Sequence, residues 1–109
     1  MRKALFICSR NKIRSLTAEG LFKGSEEIVA RSRGTEKGAR IRVSERDIGW
    51  ADEIYVMEKR HAERLRGKFG DKLAGKPLCI LRIKDIYTLN EERLLRLLKS
   101  KLAQYGLVS

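Results

Sequence analysis

The sequence predicts an α/β fold, a parallel sheet with helices on both faces, and three observations carry that expectation. Short apolar runs recur at Ala4–Ile7, Ile28–Ala30, Ile54–Met57 and Leu78–Leu81. Stretches with apolar residues at helical spacing lie between them. The first run is apolar at every position rather than at alternate ones, as expected of a strand buried on both faces. Strand and helix in alternation then imply parallel pairing.

The elements follow in order. Ala4–Ile7 forms the first strand and stops at the polar stretch Cys8-Ser-Arg-Asn-Lys-Ile. A helix runs through Ala18, Leu21 and Phe22 and ends near Gly24. Glu27–Ser32 is the second strand, Arg33-Gly34-Thr35 turns out of it, and residues 36–43 form a polar loop. Ser44 and Asp47 resemble a capping box that opens a short helix. Glu53–Met57 is the third strand, followed by a charged helix around Lys59–Arg66 with Ala62 and Leu65 as its apolar contacts and His61 on its surface. Gly75-Lys76-Pro77 turns into the fourth strand, Leu78–Leu81. In the last helix Asn90 serves as N-cap, and Leu94, Leu95, Leu97, Leu98 and Leu102 form the apolar face. Lys99 and Lys101 favour its C-terminal end, and Gly106 stops it.

Composition bounds the function. The 109 residues suit a single domain, 1–109, and a hydrophobic fraction of 42% supports a packed core. No apolar run reaches the roughly 18–20 residues needed to span a bilayer, and the N-terminus lacks the pattern of a signal peptide. The expectation is a cytoplasmic protein with no membrane partner. The net charge is +11. Lys and Arg outnumber Asp and Glu by twelve to six in residues 1–49 and by thirteen to eight in residues 50–109, so the excess belongs to the folded body. Such a charge fits either a non-specific polyanion partner or a densely solvated surface. Cys8, Cys79 and the single His61 make neither a zinc site nor a disulfide framework. Cys79, inside an apolar run, reads as a core thiol.

Chemistry concentrates at Cys8 and Arg14, separated by five residues between a strand and a helix. A loop of that length can turn several backbone N–H groups onto one anion at a helix N-terminus. Such a cradle favours a thiolate at its base. An arginine there can grip two phosphate oxygens with its planar fork, as lysine cannot. Arginine fills 14 of the 109 positions, so the spacing alone carries little and its placement carries more.

The stretch Cys8-Ser-Arg-Asn-Lys-Ile-Arg14-Ser15-Leu-Thr-Ala18-Glu19 resembles the phosphate-binding loop of the low-molecular-weight protein tyrosine phosphatases. Three further segments match that family in order: Ser32-Arg-Gly34-Thr35, Ala51-Asp52 running to Val56-Met57, and Asp85-Ile86-Tyr87 after the fourth strand. The chain looks closest to a short prokaryotic branch of predicted tyrosine phosphatases. The resemblance implies a flavodoxin-like three-layer sandwich with a four-stranded parallel sheet. It also implies hydrolysis of a phosphorylated protein or small aryl phosphate through a phosphocysteine intermediate. Cys8 would be the nucleophile, Arg14 the phosphate clamp and Asp85 the general acid, with no metal or other cofactor. Ser15 would support the thiolate and Asn11 would shape the loop. Ser9, Arg10, Lys12, Ile13 and Tyr87 would contact substrate. Leu16 and Ile86 stand where the family carries prolines, and Tyr87 and Trp50 are the aromatic candidates for a substrate wall. Two alternatives stay open: a catalytically weak phosphate- or nucleic-acid-binding module that keeps the loop, and an arsenate-reductase-like redox enzyme using Cys8 and Cys79.

Overall fold

The computed structural model describes residues 1–109. Four strands, β1 (Arg2–Cys8), β2 (Ile28–Gly34), β3 (Glu53–Val56) and β4 (Leu78–Ile80), pair in parallel in the order β2-β1-β3-β4. The flavodoxin-like, three-layer arrangement expected from the sequence is the one observed. Helices α1 (Arg14–Leu21) and α4 (Glu92–Ala103) cover one face, and α2 (Glu45–Trp50) and α3 (Lys59–Phe69) cover the other.

The apolar run of β1 explains its central position. Ala4, Phe6 and Cys8 point to the face covered by α1 and α4, where Phe6 meets Phe22, Leu94 and Leu98 in one core cluster. Leu5 and Ile7 point to the other, against Ile48, Ala62 and Leu65. Residues 4–7 are fully buried, so both sides of this strand are apolar because both are covered. β2 lies at an edge and tolerates the exposed Val29 and the half-buried Arg31 and Arg33. Each parallel pair brings the strand ends to one edge of the sheet, where loops between strands and helices converge. No helix is long and apolar enough to cross a membrane.

Four boundaries depart from the sequence reading. β2 runs on through Arg33 and Gly34, which pair with Ile7 and Cys8 rather than turning away. The segment 36–43 is tied back to the sheet: Gly34 N–H donates to Ile41 O and Val43 N–H to Gly34 O, and Val43 is buried. α3 continues to Phe69, whose ring closes the second core. Asn90 is not the N-cap of α4; Glu91 is. Asn90 instead adopts φ 58°, a left-handed conformation that asparagine tolerates, and its N–H donates to Thr17 Oγ1. The capping box at α2 forms as expected, with Ser44 N–H donating to Asp47 Oδ2 at 3.0 Å.

Candidate active site

β1 ends at Cys8, and residues 9–13 arch from it to the start of α1. The carbonyls of this arch are pulled outward. Cys8 O accepts Thr35 N–H, Ser9 O accepts Glu36 N–H and Arg10 O accepts Arg40 N–H, at 2.9–3.0 Å. Asn11 O accepts Arg40 Nε–H at 3.1 Å. Pulls on four consecutive carbonyls from one side of a tight arch leave the amides of the same peptide units on the other. None of the backbone N–H groups from Ser9 to Ile13 donates a hydrogen bond within the chain. Unpaired amides of this kind need an acceptor, and five in a row form an anion-binding concavity.

Gly34 makes the brace possible. A β-carbon there would lie 2.7 Å from Ser9 O and 2.6 Å from the Ala39 β-carbon, too close for any side chain. Asn11 supplies the sharp bend of the arch at φ 58°. Its Nδ2 donates to Ser15 Oγ at 2.9 Å, and Ser15 Oγ lies 3.0 Å from Cys8 Sγ. The Ser15 oxygen accepts from Asn11, and its own proton has two acceptors within reach, Cys8 Sγ and Arg33 O at 3.3 Å. Asn11 Oδ1 is the one buried side-chain oxygen or nitrogen without a partner.

Arg14 opens α1 and is 2% exposed. A guanidinium buried that deeply needs compensation. Its Nη1 donates to Glu58 Oε2 at 2.6 Å and to Ile83 O at 2.7 Å. Nη2 makes no hydrogen bond in the fold, and Nε lies 3.8 Å from Asp85 Oδ1 without donating to it. One edge of the fork is therefore anchored and the other is left for a ligand. Burial works against the Glu58 carboxylate, but hydrogen bonds from Arg60 and Arg14 outweigh it and hold the group down to about 2. Glu58 stays charged throughout the working range.

His61 corrects the sequence reading: it lies inside the site and is 1% exposed. Its Nδ1 accepts the Glu58 N–H at 3.0 Å, which places the ring proton on Nε2, and Nε2 donates to Ser9 Oγ at 2.9 Å. Burial, reinforced by the Arg14 and Arg60 guanidinium groups, pushes the imidazole down to about 4, so it is neutral at physiological pH. The pattern Glu58-x-x-His61 at the start of a helix was the available sequence signal, since its two residues satisfy each other across the first turn.

These groups open onto a cavity of about 400 Å³. Cys8 and Ile13 are its apolar lining, Arg10, Lys12, Arg14 and Arg60 its cations, and Glu36 and Asp85 its carboxylates. The structure thus brings Cys8, Ser9, Arg10, Lys12, Ile13, Arg14 and Asp85 together, with Asn11 and Ser15 directly behind. Asp85 sits at the mouth, two residues beyond Ile83, the residue whose carbonyl holds Arg14. Tyr87 does not line the cavity; it packs against the core with the Arg93 guanidinium over its ring. Trp50 stacks against Arg31 instead. Cys79 pairs in register with Tyr55, which pairs with Phe6. It is therefore two strands, roughly 10 Å, away from β1, too far for a direct bond to Cys8 without backbone movement.

The His61 contacts give the fold a pH dependence with a definite sign. The unfolded imidazole binds a proton below about 6.5 and the folded one only below about 4. The unfolded state therefore holds more protons in that window, and stability falls as pH drops from about 6.5 to about 4. The unfolding free energy from urea titrations over this range should decline by roughly 2–3 kcal/mol in total. His61→Gln should flatten the slope, and an unchanged slope in that variant would place the titration elsewhere.

Solved structures similar to this chain extend over nearly all of it. A low-molecular-weight protein tyrosine phosphatase from Streptococcus pyogenes matches with a TM-score of 0.81 and 19% identity, covering 100% of this chain and 95% of its own. The tyrosine phosphatase Wzb from Escherichia coli K30, solved with phosphate, gives 0.75 and 18%, over 95% of each chain. The YwlE arginine phosphatase from Geobacillus stearothermophilus gives 0.71 and 17%, over 97% of this chain and 93% of its own. No family model and no curated protein matches the sequence. The fold of this chain is that of the low-molecular-weight protein tyrosine phosphatases.

Proposed function

We propose that this protein is a metal-independent phosphate monoester hydrolase of the protein tyrosine phosphatase type, acting through a phosphocysteine intermediate. The observation that carries the reading is the arch itself: five consecutive amides without acceptors, Cys8 at the base and the free edge of Arg14 beside them. Preorganised donors of this kind stabilise the charge that develops on a transferring phosphoryl group.

In the first step Cys8 Sγ attacks phosphorus, the S–P bond forms and the ester P–O bond breaks. Asp85 gives its proton to the departing oxygen. In the second, water attacks the phosphocysteine, Asp85 takes a proton from it, and the S–P bond returns its electron pair to the sulfur. Ser15 stabilises the thiolate in both resting and leaving forms. His61 orients Ser9, and Glu58 holds Arg14 in place. Ile13, the apolar side chain on the cavity wall, supports an aryl leaving group such as that of phosphotyrosine. The substrate is then a phosphorylated protein or a small aryl phosphate in a cytoplasmic setting. The second reading, an anion-binding module without turnover, draws on the same amides and on the net charge.

Hydrolysis of p-nitrophenyl phosphate without added metal separates them. Turnover should vanish in Cys8→Ser and fall by about 10²–10³-fold in Arg14→Lys, which keeps the charge but loses the fork. Phosphate binding without turnover in the wild type would favour the module. Gly34→Ala, which pushes on the Ser9 carbonyl from behind, should lower kcat by roughly 100-fold while the chain stays folded. Wild-type kcat in that variant would show that the brace does not set the arch.

A further inference from the structure

A second cavity, of about 280 Å³, opens beside the first on the face covered by α3. Its walls carry Arg42, Arg64 and Lys68 with no carboxylate among them. None of the three forms an ion pair or a hydrogen bond in the fold, whereas Arg10, Arg14 and Arg60 in the first cavity each face Glu36, Glu58 or Asp85. The Lys68 ammonium group lies over the Phe69 ring, 5.6 Å from its centre. Thr35 also lines this cavity. It is 6% exposed, and its hydroxyl has no partner within the chain. Three exposed, unpaired cations and the Thr35 hydroxyl around one hollow are donors that a single anion could accept from together.

The position ties the hollow to the chemistry. Thr35 donates its N–H to Cys8 O, so the hollow begins one hydrogen bond behind the nucleophile. Arg64 follows Arg60 by one turn of α3, roughly 6 Å along the helix, and Arg60 lines the first cavity. Arg60 on the first cavity and Arg64 and Lys68 on the second thus lie along one helix.

We propose that Thr35, Arg42, Arg64 and Lys68 form a second phosphate-binding subsite, which takes a second phosphate group of a substrate whose first phosphate lies on Cys8. This deepens the phosphatase reading and rests on it for the identity of the reacting phosphate, while the binding of an anion in the hollow does not. The enzyme would thereby prefer doubly phosphorylated substrates to those with one phosphate. Neighbouring phosphorylated side chains of one peptide supply two such phosphate groups.

Inorganic phosphate titrated into the full chain, followed by amide correlation spectra, should shift two separate sets of signals. One comprises Ser9 to Ile13, the other Thr35, Arg42 and Val43. The double substitution Arg64→Gln with Lys68→Gln should remove the second set and keep the first. The same variant should leave kcat/KM for p-nitrophenyl phosphate within about twofold. It should lower kcat/KM by about 10-fold or more for a peptide carrying phosphotyrosine next to phosphoserine, the loss expected for one charge-assisted contact. Shifts confined to the first set, or an equal loss on both substrates, would overturn the proposal. Two sets of shifts without turnover on any ester would support the subsite and remove the catalytic reading. An oligonucleotide lacking terminal phosphate that binds through Arg64 and Lys68, with no phosphate-induced shift at Thr35, would make the hollow part of a nucleic-acid surface and overturn it as well.

Discussion

The site depends on one set of contacts, the hydrogen bonds by which the segment after β2 holds the carbonyls of the Cys8 loop from behind. Thr35, Glu36 and Arg40 donate to Cys8, Ser9 and Arg10 in turn. A peptide unit is planar, so turning its carbonyl one way turns its amide the other. With the carbonyls of residues 8–11 engaged from behind, the amides of residues 9–12 turn the other way. The brace demands close approach, and the absence of a side chain at Gly34 permits it. The unpaired amides at the tip of β1 thus follow from how β1 and β2 pair.

Burying an arginine is the second requirement, and the fold meets it with groups from two other strands. Glu58 follows β3 and Ile83 follows β4, and both bind the same Nη1. Glu58 is also the N-cap of α3, where its N–H meets His61. The guanidinium, the start of α3 and the Ser9 hydroxyl therefore form one connected polar network across the end of the sheet. Networks of this kind fix geometry because each member loses its partner if another moves. The exposed mouth, with Asp85, Arg10 and Lys12, has no such constraint, and exposed groups are the ones that can rearrange around a substrate.

Much of this was legible in the sequence where one residue pattern has one physical solution. The apolar run of β1 required burial on both faces, the leucines of α4 required a covered stripe, and Cys8 and Arg14 at either end of a polar arch fitted an anion loop. What the sequence hid were contacts between residues distant along the chain. His61 stands among Lys59, Arg60, Glu63 and Arg64 and reads as solvated; only the abutment of α3 on the Cys8 loop buries it. Gly34 read as a turn because its steric role depends on Ser9 and Ala39. Asn90 read as an N-cap because its residue type suits that position equally well, and the bond to Thr17 that settles it spans 73 residues. Tyr87 read as a substrate contact, and packing beneath Arg93 places it against the core instead.

The most direct test of the account is to quench the enzyme with acid during turnover of p-nitrophenyl phosphate and weigh its peptides. The account predicts one added phosphoryl group on the peptide that carries Cys8, absent in Cys8→Ser and absent without substrate. Turnover with no phosphoryl group on that peptide under any quench time, or with one on a different residue, would contradict it.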